Sequence, residues 1–264
     1  MVRNVAAVAG SQDISRRKLA TTYARLRVGK GEIPGSPARA RILDWEVAYA
    51  DYRALVELFL EIFVRRHCPF RAARSSPFVV DCGANIGVAT MFIKTLAPQA
   101  EILAFEPEPT AFRLLRQNVE ANRMASVECR PYAVAREAGR QLLRSPGPAH
   151  LASSLVFDYP DWKEIEVETV RLSECLDDRR VDFLKLDVEG SEHAVLADLV
   201  DSGAIERVDE IGLEHHPRQP DDLPHLLQTL ADAGFSHRLA VGSDELWDPT
   251  QLLLVHAFRE AQQR

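Results

Sequence analysis

The chain lacks several features that would have fixed its class at once. No stretch approaches the roughly 18 to 20 consecutive apolar residues of a membrane-spanning helix. The first residues carry no continuous apolar core of a secretory leader, so the expectation is a cytoplasmic protein with no membrane partner. The four cysteines, Cys68, Cys82, Cys129 and Cys175, show no C-x-x-C spacing, which argues against a zinc site and a disulfide framework and leaves buried thiols. Positive charge is also short. Lys and Arg number 32 against 39 Asp and Glu, a formal charge of −7, so the broad basic face of a nucleic-acid binder is not expected. Residues 1–43 are the local exception, where many arginines and lysines face only Asp13 and Glu32; they read as solvated helix and loop charges. Internal repeats and low-complexity tracts are missing too. What remains, 264 residues at 46% hydrophobic and 27% charged, is enough for one large core, or one core with a small appended domain.

The most informative stretch is Phe78-Val79-Val80-Asp81-Cys82-Gly83-Ala84-Asn85-Ile86-Gly87. Phe78 to Val80 are apolar and β-favouring, follow Pro77, and suit a central parallel strand covered on both faces. Gly83 and Gly87 permit a tight turn, and Val88 to Leu96 continue at helical spacing. Strand, turn and helix in that order would aim turn amides, that of Ala84 among them, at a ligand above the strand end. A dinucleotide fingerprint needs glycine at 83, 85 and 88; this chain has Gly83, Asn85 and Val88, which removes the close approach for a pyrophosphate. The pattern D-x-G-x-N-x-G resembles instead the first motif of S-adenosylmethionine-dependent methyltransferases, whose ligand has no phosphate. Asp81, directly or through water, would receive its ammonium, and the turn amides its carboxylate.

Glu101 to Phe105 form a second apolar strand ending in Glu106, about 20 residues beyond the turn, where nucleoside binders place an acid on the ribose hydroxyls. Pro107 and Pro109 stop that strand and open a helix with Phe112, Leu115 and Val119 on one face. Ser126 to Arg130 read as a third strand, which puts Tyr132 and Ala133 at its end, where an adenine ring could lie. Residues 139–170 are short-patterned and polar, then alternate through Ile165, Val167 and Thr169, the signature of an extended excursion or hairpin near the ligand mouth. Val181 to Leu186 form another buried strand, with Asp187 at its end before the Val188-Glu189-Gly190 turn and a helix through Leu199.

Taken together, D-C-G-A-N-I-G, F-E-P, K-L-D-V-E-G-S-E and I-G-L-E-H-H-P, in this order and at these separations, resemble the FkbM family of S-adenosylmethionine-dependent methyltransferases over roughly residues 78 to 240. The resemblance implies an α/β fold, a Rossmann-like seven-strand sheet flanked by helices whose last two strands are antiparallel. It also implies methyl transfer to a hydroxyl oxygen of a small molecule, a secondary metabolite or saccharide. Asp81, Gly83, Asn85 and Gly87 match the family's cofactor turn, Glu106 the ribose acid, and Asp187 the acid beside sulfonium and acceptor. Three acids at three strand ends also suit an open parallel sheet, where ligands sit outside the carboxyl ends of the strands. No aromatic N-P-P-Y-like motif points to a nitrogen acceptor.

Residues 1–70 lie outside the resemblance and read as an appended helical segment before a catalytic domain over 71–264. Asp44 is placed as the cap of a helix whose apolar stripe, from Val47 through Leu55 and Phe59 to Phe63, would pack on the core or on a second subunit in a homo-oligomer. Val208 to Leu213 form a strand ending in Glu214-His215-His216, with a helix over 221–233 and two closing strands after it; His215 reads as a surface residue. Asp187, Glu214 and His216 then converge on one mouth. They could hold a divalent cation, or His216 could be a metal-free general base oriented by an acid. No D-D or D-N pair is present and magnesium rarely takes histidine, so the metal-free version is the expectation. Two other readings share the turn and Glu106: a nicotinamide-dependent oxidoreductase, and a non-catalytic S-adenosylmethionine-binding module.

Overall fold

The computed structural model describes residues 14–29, 38–147, 152–158, 160–216, 222–241 and 253–259. The breakers at 30–37, the charged residues before position 14, and Pro217 to Asp221 lie outside them.

The N-terminal region is not helical throughout. Helix α1 (Arg16–Arg27) exposes its arginines and buries Leu26. A two-stranded hairpin follows, β1 (Arg39–Ile42) and β2 (Trp45–Ala48), with Asp44 in its turn rather than at a helix start. Four-residue strands leave too short an alternation to stand out from the helical stripe after them, although Ala40, Ile42 and Val47 are all buried. The helix cap is Asp51, whose Oδ1 accepts from the Ala54 amide at 2.8 Å at the start of α2 (Tyr52–Phe59). Helix α2 runs on into a wider π turn over Leu60–Arg65, which stops at Arg66 in the left-handed conformation, φ 63°. The expected stripe exists but is used within the chain. Leu55, Phe59, Ile62 and Phe63 are buried in the same core as Val79 and Phe92, and the Phe63 and Phe92 rings meet edge to face at 5.4 Å.

From there the chain alternates. Strand β3 (Phe78–Cys82), all five residues buried, leads to α3 (Val88–Leu96), β4 (Glu101–Phe105), α4 (Pro109–Ala121) and β5 (Val127–Arg130). Strands β6 (Ala133–Ala135), β7 (Gly139–Ser145) and β8 (Lys163–Arg171) form a separate three-stranded sheet, which is the expected excursion, with β7 and β8 as its antiparallel pair. Then come α5 (Leu172–Cys175), β9 (Phe183–Leu186), α6 (Glu192–Asp201), β10 (Glu210–His215), α7 (Asp222–Asp232), β11 (Ser236–Val241) and β12 (Leu253–Phe258).

The main sheet has seven strands in the order β11-β12-β10-β9-β3-β4-β5. Strand β12 lies antiparallel to both β10 and β11, and β10, β9, β3, β4 and β5 are mutually parallel. This is the expected Rossmann-like seven-strand sheet, with its closing strands reversed. The chain leaves β3 towards β4 and β5 and returns on the other side through β9, so the switch point, where open α/β sheets hold ligands, lies between β3 and β9. Strand β10 runs two residues further than the apolar pattern suggests, and His215 is a buried strand residue at 1% exposure rather than a surface one.

Further contacts join the N-terminal region to the sheet and its helices. At Gly212 of β10 a Cβ would sit 2.7 Å from the Phe183 ring and 2.8 Å from Pro69, so the segment after the π turn packs directly on strand backbone. On the other side, two asparagines one turn apart on α4 satisfy the outer edge of β2. Asn122 pairs with both backbone groups of Glu46, and buried Asn118 with both of Ala48 while donating to Ile86 O at 2.8 Å. Among the described residues no helix is long and apolar enough to cross a membrane.

Candidate active site

A cavity of about 190 Å³ opens over the carboxyl ends of β3, β4 and β9. Gly83, Ala84, Asn85, Glu106, Tyr132, Ala133, Asp187 and Glu214, all singled out by sequence, line it; Asp81, Gly87 and His216 do not.

The turn after β3 is tied to the protein, not left open. The amides of Gly83 and Ala84 both donate to Phe105 O, that of Asn85 to Glu106 Oε2 at 2.8 Å, that of Ile86 to Asn85 Oδ1, and that of Gly87 to Ala84 O. These amides are therefore committed, which corrects the expectation that they would wait for a ligand carboxylate. Glycine at 83, with φ +82°, has a structural reason too: an added Cβ would lie 1.8 Å from the backbone oxygen of Asp187. The ends of β3 and β9 touch at this point.

Asp81 is the second correction. It is fully buried beneath the turn, its Oδ2 accepts from Thr90 Oγ1 at 2.9 Å, and its Oδ1 lies 3.4 Å from Lys185 Nζ. Lys185 donates to Gly83 O at 2.9 Å and to Asp187 Oδ2 at 3.0 Å. Burial opposes its charge, but the carboxylates of Asp187 and Asp81 outweigh that and keep the ammonium protonated above its ordinary range. Asp81 thus anchors a lysine that holds both strand-end turns.

Glu106 faces the cavity at 5% exposure. Its Oε2 takes the Asn85 amide and its Oε1 the Glu108 amide, each at 2.8 Å. Burial pushes this carboxyl up to about 7, despite the lowering effect of those two amides. Each carboxylate oxygen has two lone pairs, so one on each remains for a donor. Beside it, Tyr132, Ala133 and Val134 line the cavity together with Leu143 of β7 and Leu155 of the β7–β8 connection, an apolar stretch of wall.

The far end of the cavity is acidic. Asp187, Glu189 and Glu214 line it, and so does Glu61 from the π turn of the N-terminal segment. His216 stands just behind, with Nδ1 3.0 Å from Glu192 Oε1, and Nε2 3.3 Å from Glu189 Oε2 and 3.8 Å from Glu214 Oε1. Burial would discharge the ring, but Glu192, Glu189 and Asp187 raise it to about 10. With no cation beside it the ring holds its second proton at neutral pH, and in that state Nε2 has no lone pair to accept with, which counts against the metal-free reading of His216 as a general base. Burial and like charge push Glu189 up to about 8 and Glu61 to about 7.

Sequence reasoning missed Glu61, Lys185 and Glu189 as site residues. Lys185 and Glu189 lie inside the quoted K-L-D-V-E-G motif, so their position beside Asp187 was available. Glu61 had no such signal: it falls within an apolar helical stripe, and the π turn changes the angular spacing from which its facing would be read.

Residues 81–236 of the chain match the methyltransferase FkbM domain. Among curated proteins, the chain is 30% identical over 196 residues to methyltransferase 1 of Beauveria bassiana, covering 62% of this chain and 79% of that one. It is 31% identical over 241 residues to the 31-O-demethyl-FK506 methyltransferase FkbM of Streptomyces tacrolimicus, covering 77% and 90%. Among solved structures, a methyltransferase from Pyrococcus furiosus superposes at a TM-score of 0.46 with 11% identity, covering 93% of this chain and 99% of that one.

Proposed function

This chain belongs to the FkbM family of methyltransferases, and from that premise we propose that it carries a methyl group from S-adenosylmethionine to a hydroxyl oxygen of a small molecule, a secondary metabolite or saccharide. The observation that carries the reading is the Glu106 carboxylate, buried, facing the cavity, and holding one free lone pair on each oxygen beside its two backbone amides. A vicinal diol supplies two donors at that spacing, so the donor set fits a ribose. The apolar wall at Tyr132 and Leu155 suits a flat base. Val88 and Ala89, in the first turn of α3 where amides fall outside the helix ladder, and the Lys185 ammonium suit a carboxylate tail. When bound, this cofactor supplies a methyl group made electrophilic by a sulfonium. The chain's own work is then to align an oxygen with that methyl and to receive the hydroxyl proton. Asp187, fixed by Lys185 and reaching the cavity, is the group we assign to the proton, in place of His216. Leu58 and Ile62 from the N-terminal segment supply an apolar wall that limits water at the acceptor side. The name of the Streptomyces relative specifies an O-methyl position, which supports oxygen as the acceptor atom here. A nicotinamide-dependent oxidoreductase has no support from the family or from Asn85 and Val88.

The test is direct binding. S-adenosylhomocysteine should raise the melting temperature and give a calorimetric isotherm, whereas NAD should do neither. Stabilisation by NAD alone would sink the reading.

A further inference from the structure

We propose that the acidic end of the cavity is a binding site for one first-row divalent metal ion, with Asp187, Glu214 and His216 as ligands and Glu189 beside them. One donor atom from each of the three lies within 4.8 Å of the other two. The closer spacings are those of a shared ion. Two donors about 2.1 Å from one metal are separated by about 3.0 Å when adjacent in an octahedron and about 4.2 Å when opposite. His216 Nε2 stands 3.8 Å from Glu214 Oε1 and 3.3 Å from Glu189 Oε2. The other ring nitrogen is already oriented: Nδ1 meets Glu192 Oε1 at 3.0 Å, and Glu192 is fully buried, the carboxylate–imidazole arrangement that turns the second nitrogen towards a metal.

A second observation points the same way. The His67 side chain is only 4% exposed, its Nδ1 has no hydrogen-bond partner, and that nitrogen faces Glu214 Oε2 at 3.6 Å. A buried imidazole held only by this ion-pair contact falls short of a hydrogen bond unless the carboxylate it faces comes closer. With Glu214 Oε1 on a metal, Oε2 turns to His67, and the buried donor is satisfied as an outer contact of the ligand. His67 and Glu61 both come from the N-terminal segment, so that segment completes the site. Carboxylates with an imidazole suit manganese, iron or zinc better than magnesium or calcium.

The chemical role of the ion, though not its binding, rests on the methyl-transfer reading. Held there, the ion would polarise an acceptor hydroxyl whose proton would pass to Glu189, while the oxygen lone pair formed the O–CH₃ bond and the C–S bond of the sulfonium broke with its electron pair left on sulfur as the neutral thioether.

The experiment needs no methyl donor. The full chain, stripped with chelator, is titrated with Mn²⁺ and followed by the loss of the free-ion electron paramagnetic resonance signal, with Zn²⁺, Mg²⁺ and Ca²⁺ as competitors. We expect one Mn²⁺ per chain at micromolar concentration, displaced by Zn²⁺ but not by equal Mg²⁺ or Ca²⁺. His216→Ala and Glu214→Gln should each weaken binding by tenfold or more, and His67→Gln by about tenfold. Melting temperatures of the stripped variants check their folding. No binding of Mn²⁺ or Zn²⁺ below millimolar overturns the proposal, as does binding that neither His216→Ala nor Glu214→Gln alters. Because binding is read without cofactor or acceptor, a failure of the methyl-transfer reading leaves this result standing, and the reverse also holds.

Discussion

The two ends of the cavity are built in opposite ways. At the Glu106 end the working groups come from one continuous strand-turn-helix-strand unit, and each is fixed by short-range backbone hydrogen bonds: the turn amides to Phe105, Asn85 and Glu106, and Glu106 to Asn85 and Glu108. At the Asp187 end they come from separate places, Asp187 and Glu189 after β9, Glu214 and His216 at the end of β10, Glu61 and His67 from the N-terminal segment. The first end is polar but neutral in its demands, because amides already share the carboxylate. At the second, several acids face one another and two imidazoles, and the balance of charge is set by what else arrives. Local sequence therefore specifies the first, and tertiary assembly the second.

Three substitutions would break or sharpen that contrast. The largest effect belongs to the place where both ends meet. Gly83→Ala puts a Cβ into the Asp187 carbonyl at a left-handed φ, so it should damage both ends at once, and the expected cost is roughly 3 kcal/mol or more. For a chain of this length that is a fall of about 6 °C in melting temperature, measured by calorimetry; an unshifted transition would mean that the two strand ends do not touch. Next, Asp187→Asn acts at the acidic end alone. Turnover should fall by about 10² or more, while affinity for S-adenosylhomocysteine changes far less. Equal losses in both would move Asp187 to the cofactor.

Glu106→Gln acts at the other end and should weaken S-adenosylhomocysteine binding by about ten- to a hundredfold, the scale of hydrogen bonds to a charged group. It also makes a pH claim. The folded carboxyl titrates near 7 against an ordinary 4.5, so without ligand its contribution to stability is fully present below 4.5 and is lost as pH rises through about 7. A diol binds the ionised form better, so affinity should climb between pH 6 and 8 in the parent protein and stay level in the variant. Parallel profiles by titration calorimetry would assign the dependence to another group.

This division explains what the sequence disclosed. The order of strands and helices was legible because β3, β4 and β9 are short, mostly apolar runs, each followed by a turn residue with a chemical part, and because the spacing from Gly83 to Glu106 crosses a single helix. Which of those residues would face the cavity was not legible. Asp81 looks like a ligand contact by position, yet it lies under Lys185 and outside the cavity lining, since the pleat and a single long side chain decide which way it faces. The hairpin β1–β2 was hidden by its length, and the inward face of Glu61 by a turn that is not α-helical. His216 was found by position, but its charge depends on Glu192 and Glu189 one element away.

The asparagine clamp on β2 has a practical side. Residues up to about 70 supply the wall and two of the acidic-end side chains, so they are the natural part to exchange when another acceptor is wanted. They cannot be exchanged alone. Asn118 reads both backbone groups of Ala48 with the two ends of its amide, and its Nδ2 also reaches Ile86 O in the turn after β3, while Asn122 repeats the backbone pairing at Glu46. A chimera that brings a foreign hairpin must therefore inherit its own α4 as well, and the proper crossover for such grafts lies beyond Asn122, not at the start of β3.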